Sequence, residues 1–172
     1  SPKGTAAIVE FPGVLYRGGA EQKIRKYMID NNFVDTVIQL PSDLFFGTSI
    51  ATCILVLKKN KADNNILFVD ASEEFVRNTN KNKLSDTNIN NIINLLKNRV
   101  LVENKAYLAT YDEIKENDYN ISVNSYLKTN TIEVKIDIEE VNRKLAEIVP
   151  KQQQIRKELE EIIRKLESDY HE

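Results

Sequence analysis

The residue types that usually carry chemistry are thinly spread in this chain. There is a single histidine in 172 residues, His171, one position from the C-terminus. It argues against acid–base or nucleophilic schemes built on imidazole. Gly18-Gly19 follows a turn and matches no phosphate-binding fingerprint. The one cysteine, Cys53, lies within an apolar run and reads as a small buried hydrophobe, with no disulfide partner and no zinc spacing. Carboxylates are scattered along helical stretches, where a solvated face is their ordinary role. What remains is a conspicuous loop, Leu44-Phe45-Phe46-Gly47-Thr48, between the apolar runs Val37–Leu40 and Ala51–Leu57. Both runs are rich in β-branched residues and alternate weakly, which predicts strands covered on both faces. A buried hairpin holding such a loop at its open end is a scaffold for a site.

The elements that position this loop follow from pattern and punctuation. Thr5–Phe11 predicts a strand ended by Pro12-Gly13. A helix begins near Ala20, with Ile24, Tyr27 and Met28 on its apolar face and Glu21, Lys23, Arg25 and Lys26 outward. Asn31-Asn32 ends it, and Phe33-Val34 opens the next strand. Strand–helix–strand in one sheet implies a right-handed parallel crossover, to which the hairpin adds a strand of opposite direction. After a polar turn at Lys58–Asn65, Ile66–Val69 predicts another strand. Arg77–Asp86 reads as a solvated loop carrying Arg77, Lys81 and Lys83. A helix from about Ser85 carries Ile89, Ile92, Ile93 and Leu96, and Thr110-Tyr111-Asp112-Glu113 fits a capping box opening a short helix to about Asn117.

From Asp137 the pattern changes. Ile138, Val141, Leu145, Ile148, Ile155, Leu159, Ile162 and Leu166 keep one 3–4 spacing, with Gln152 in the same seam. About 30 residues of helix would span roughly 45 Å, and Pro150 predicts a kink or two abutting helices. A seam this narrow suits another helix better than a broad core, so a projecting coiled-coil arm is expected rather than a helix folded back on its own domain. The net charge of −2 gives no overall electrostatic case for nucleic acid or membrane. No segment has the ~20 apolar residues of a membrane span, and the expected location is cytoplasmic. A start at Ser-Pro-Lys-Gly, without methionine and just ahead of a strand, reads as a piece of a longer protein.

The run Ala6–Asn60, beginning AAIVEFPGVLYRGG and ending in PSDLFFGTSIATCILVLKKN, closely resembles the C-terminal half of the modification subunit of type I restriction–modification systems, an N6-adenine DNA methyltransferase. The resemblance extends through ILFVDASEEF, through NDYNIS at Asn117–Ser122, and into the heptad tail. Its more specific markers are Gly13–Gly19 and Leu44–Thr48. It implies an α/β fold: the C-terminal half of a Rossmann-like, S-adenosylmethionine-dependent methyltransferase sheet, with parallel strands plus an antiparallel hairpin strand. Helices and a long coiled-coil-like arm follow. Thr5–Phe11 would be the fifth strand of that sheet, Val37–Leu40 the sixth, and Ala51–Leu57 the seventh, inserted between them. The implied organisation is a methyltransferase-core portion over 1–72, a helical and loop extension over 73–136, and a subunit-interaction arm over 137–172.

In that family S-adenosylmethionine binds a Gly-containing loop after the first strand, and an Asn-Pro-Pro-Phe motif holds the adenine amino group. Neither motif occurs in this sequence, so both are expected upstream and no catalytic residue is assigned here. The resemblance gives the Phe45-Phe46 loop a role, since a methylated base must leave the duplex stack and an aromatic face replaces part of the lost stacking. Phe45 or Phe46 would stack on the target base, with Gly47 allowing close backbone approach. The plainer alternative is that both phenylalanines cover the end of the sheet. The implied partners are DNA, a specificity subunit docked through Leu145, Ile148, Ile155, Leu159, Ile162 and Leu166, a second modification subunit and a restriction subunit. Self-association through the edge of Thr5–Phe11 or through the arm is also expected. No metal is implied. The competing function is a helical interaction module or scaffold without methyltransferase activity.

Overall fold

The computed structural model describes residues 1–127 and 138–169. The chain divides into two units, Ser1–Asn130 and Thr131–Glu172. In the first, a five-stranded sheet is built from β1 (Thr5–Glu10), β2 (Val34–Gln39), β3 (Cys53–Lys58), β4 (Ile66–Asp70) and β7 (Ala106–Ala109), in the order β1-β3-β2-β4-β7. β3 is antiparallel to both β1 and β2, pairing Cys53 with Glu10 on one side and with Gln39 on the other. β2 and β4 are parallel, and β7 closes the far edge antiparallel to β4. The hairpin strand therefore sits between the first two strands, as the family resemblance implied. The expected loop at Arg77–Asp86 is instead mostly a second small sheet, β5 (Val76–Asn78) with β6 (Lys81–Lys83). Residues 73–127 thus supply three strands as well as helices.

Two apolar layers cover the sheet, because successive strand side chains face opposite ways. Val37, Ile66 and Phe68 enter one layer with Ile29 of α1 (Ala20–Asp30) and with Tyr119, Ile121 and Val123. Ile38, Leu67 and Val69 enter the other with Ile92 of α2 (Asp86–Asn98) and Ala106. β2 and β4 are accordingly buried on both faces, β3 is largely half-buried, and all of β1 but Glu10 is exposed. The capping box of α2 at Ser85 and that of α3 (Tyr111–Glu116) at Thr110 are both formed. The chain then folds back so that the Tyr126 ring stacks on Phe68 at 4.0 Å between centroids.

The inner face of α1 differs from the apolar spacing. Ile24 and Tyr27 are exposed, whereas Arg25 is buried beside Ile29. The guanidinium explains the rotation: Nε donates to Tyr119 O at 3.1 Å, and Nη1 donates to Val14 O at 2.9 Å and Arg17 O at 2.7 Å. One cation thereby satisfies three carbonyls from two segments, the β1–α1 connection and the chain after α3. Arg25→Met is expected to destabilise the fold by about 2–4 kcal/mol, since buried carbonyls lose charge-assisted bonds. Urea denaturation measures this. A loss below about 1 kcal/mol would show that the carbonyls find other partners.

In the second unit α4 (Ile138–Asp169) runs as one helix through Pro150, so of the expected kink or pair of abutting helices the pair is not seen. On this helix taken by itself, Leu145, Ile148, Ile155, Leu159 and Ile162 are exposed. The Leu166 side chain lies outside the described residues. No described helix is long and apolar enough to cross a membrane.

Candidate target-base site

β1, β2 and β4 run in the same direction, and the loop from Leu40 to Thr52 leaves the carboxyl end of β2 beside the carboxyl end of β1. In open α/β sheets this edge is where ligands bind. Leu40 N–H donates to Thr52 O at 2.9 Å and closes the neck of the loop. Beyond it, Gly47 adopts φ +79°, a left-handed conformation that disfavours other residues, with no atom within 4 Å of where a Cβ would lie. That conformation, not a close neighbour, is what glycine serves here. Phe46 is 100% exposed and Phe45 42%.

The two phenylalanines, with Val9, Glu10, Phe11, Thr48 and Thr52, wall a hollow of about 330 Å³. Phe11 and Thr52 are members that the sequence reading did not assign. Thr52 is visible in retrospect as the one hydroxyl interrupting the apolar run Ala51–Leu57. Its residue is only 5% exposed, and its Oγ1 has no hydrogen-bond partner among the described residues. The Thr48 hydroxyl, by contrast, accepts from Ile50 N–H at 3.1 Å. Cys53, next in the chain, is inert by construction of its surroundings: burial pushes its thiol up to about 11, and the S–H donates to Glu10 O at 3.4 Å.

The loop is held from outside by the β5–β6 hairpin. Asn82, buried, donates Nδ2–H to Ser42 O at 2.9 Å and its backbone N–H to Asp43 O at 3.0 Å. Lys81 Nζ donates to Thr48 O at 3.0 Å and lies 3.7 Å from the Asp43 carboxylate, which Arg77 approaches to 3.6 Å. Arg77 also donates to Asn82 Oδ1 at 3.0 Å. Arg77 and Lys81 therefore brace the aromatic loop from both of its limbs.

A second hollow of about 300 Å³ at the end of β4 is lined by Asp70, Ser72, Glu73, Glu74, Glu103, Asn104 and Lys105. Glu74 is satisfied within the fold by Asn91 at 3.0 Å, Asn88 at 3.1 Å and Lys105 at 3.2 Å, bonds that hold its carboxyl below the usual range. It ties α2 to the sheet. Among the described residues no group of His, Cys, Asp and Glu has the arrangement of a metal site.

The fold is a mixed α/β sheet with an antiparallel strand inserted between two parallel ones, and comparison with known proteins makes its family definite. The chain belongs to the N-6 DNA methylase family, whose model matches residues 1–135. More particularly, it resembles methylase subunits of type I restriction enzymes. It is 46% identical over 169 residues to the MpnII methylase subunit of Mycoplasma pneumoniae, covering 98% of this chain and 31% of that protein. With the MjaVIII methylase subunit of Methanocaldococcus jannaschii it is 35% identical, covering 91% and 29%. Among solved structures, the type I restriction–modification methyltransferase subunit of Streptococcus thermophilus superposes with a TM-score of 0.71 at 44% identity, over 73% of this chain and 27% of that one. The EcoKI M protein, at 16% identity and a TM-score of 0.59 over 92% and 41%, shares the fold. The chain spans about a third of the length of the curated relatives it matches.

Proposed function

We propose that this chain is part of the modification subunit of a type I restriction–modification system, in which it forms the target-base side of an N6-adenine DNA methyltransferase and carries a docking helix. The observation that carries the reading is the hollow of Phe11, Phe45 and Phe46 at the carboxyl ends of parallel β1 and β2, in a chain of the N-6 DNA methylase family. A base leaving the duplex loses its stacking, and a braced, exposed aromatic pair offers a replacement face. Phe45, Phe46 and Gly47 are the base-contacting residues of this reading. The seam of α4 is its surface for the specificity subunit, in a complex that holds a second modification subunit and the restriction subunit. The relatives' designation as subunits accords with such an assembly.

S-adenosylmethionine is the methyl donor the family implies. The residues of this chain do not fit a complete cradle for it. Gly18-Gly19 leads into α1 as its N-cap rather than forming a phosphate-type loop after a first strand, and there is no Asn-Pro-Pro-Phe sequence. No step is therefore assigned through the cofactor here. The expected result is that this chain by itself transfers no methyl group and binds no measurable S-adenosylmethionine, because positioning and electrostatics for transfer both need the missing groups. Isothermal calorimetry tests this. Micromolar binding would overturn the assignment of the chain to the base side alone.

A further inference from the structure

We infer that the Thr52 hydroxyl donates a hydrogen bond to a ring nitrogen of the extruded purine; the inference rests on reading the hollow as the target-base site. Thr52 stands one residue before Cys53, which pairs with the last residues of β1 and β2, so it lies at the edge where parallel α/β sheets present ligands. Its carbonyl is used by Leu40, but its side-chain oxygen is buried and unpartnered among the described residues, and Thr52 is one of the residues that wall the hollow. A buried hydroxyl without a partner is a net cost to the fold. The cost is recovered when a ligand enters with a polar atom at that point. The other lining hydroxyl, Thr48, already accepts from Ile50 N–H and is only half-buried, so solvent can take up its own proton. Three phenylalanines supply an apolar, aromatic surround that suits a flat ring, and one polar group in such a surround fixes the ring's orientation. A purine presents acceptor nitrogens along its edge, and a hydroxyl donor placed there distinguishes ring from ring by where the nitrogen lies.

The inference requires opposite effects of one substitution on folding and on function. In the complete modification enzyme, Thr52→Val keeps the shape and removes the hydroxyl. Its thermal midpoint should be unchanged or higher than wild type, while kcat/KM for methylation of the target duplex falls about three- to tenfold. Thr52→Ser should restore most of the activity. With 1-deaza-, 3-deaza- or 7-deazaadenine at the target position, the Thr/Val difference should vanish for one analogue and persist for the other two. A lowered midpoint for Thr52→Val would show that the hydroxyl is bonded within the fold, and wild-type methylation by that variant, or a difference that persists for all three analogues, would equally overturn the inference. Phe45→Ala and Phe46→Ala measured alongside separate the two levels. If they are impaired and Thr52→Val is not, the hydroxyl fails and the base site stands. If all three are like wild type, the base-site reading fails too.

Discussion

Alanine at Phe45 or Phe46, in the complete enzyme assembled on its DNA, is expected to cut methylation about 5- to 150-fold, from a loss of about 1–3 kcal/mol of base stacking. Affinity for S-adenosylmethionine should be nearly unchanged. The two rings differ in what else they do. Phe46 is fully exposed, so removing it takes nothing from the core and any lost activity reports on what the ring meets in the complex. Phe45 is partly covered, and its removal should also cost a little stability. The loss belongs in kcat where stacking strengthens toward the transition state, and in KM where it holds the ground state equally. A target adenine replaced by 2-aminopurine adds a spectroscopic reading, since unstacking from the duplex raises its fluorescence and stacking on an aromatic ring lowers it again. Wild-type rates in both single variants would remove the basis for a base-contacting loop.

The brace from β5–β6 makes this a fair test. An aromatic pair on an unsupported 13-residue loop would lose much of its stacking energy to ordering. Here Asn82, Lys81 and Arg77 tie down Ser42, Asp43 and Thr48 on either side of the rings, so much of that ordering is already done. Such pre-organisation is why a surface loop can hold a ring at a set place.

How much of this is legible in the sequence depends on whether the cause is local. The apolar runs Val37–Leu40, Ala51–Leu57 and Ile66–Val69 each carry their own β-branched and turn signals, and each is a strand. The box at Thr110 and the helix start at Ser85 are likewise local, and both residues cap helices. β7 has no such signature: AYLA is four residues long and forms because the far edge of β4 needs a partner. The hairpin at 76–83 is written in polar residues, and its reason is the Asn82 contact with a loop 40 residues earlier in the chain. α1 misleads for the same cause, since Arg25 is drawn inward by carbonyls of Val14, Arg17 and Tyr119 while Ile24 is left out. The site divides along the same line. Phe45-Phe46-Gly47 stands out as a local oddity, whereas Thr52, the one hydroxyl in the apolar run Ala51–Leu57, went unassigned. The partners that hold the loop are non-local and leave no pattern.

The second large effect is expected at α4. Replacing Leu159 and Ile162 together by Asp should abolish assembly with the specificity subunit while leaving the unit built on β1–β4 folded. The helix carries a 3–4 stripe from Leu145 through Ile148, Ile155, Leu159 and Ile162 whose members are all more than half exposed on the helix taken by itself. Its polar face is ordered along its own length, with Gln154 donating to Glu158 at 3.1 Å and Arg156 3.7 Å from Glu160. Intrahelical pairs of this kind contribute only a few tenths of a kcal/mol each, so a helix of 32 residues with an uncovered apolar stripe gains most from a partner. Burying Leu159 and Ile162 would contribute about 1.5–3 kcal/mol each before ordering costs, and two carboxylates in their place both forfeit that and must be desolvated. Gln152 in the same stripe lowers affinity but favours one register, the role a polar seam residue plays in paired helices. Co-purification of the double variant with the specificity subunit tests the idea, with circular dichroism and urea denaturation as the control for folding. Assembly at normal stoichiometry would show that α4 is not the docking element. Loss of the whole fold would instead show that the stripe is needed within its own chain, and Leu145→Asp with Ile148→Asp, on the other side of Pro150, would then tell which half of the helix that need resides in.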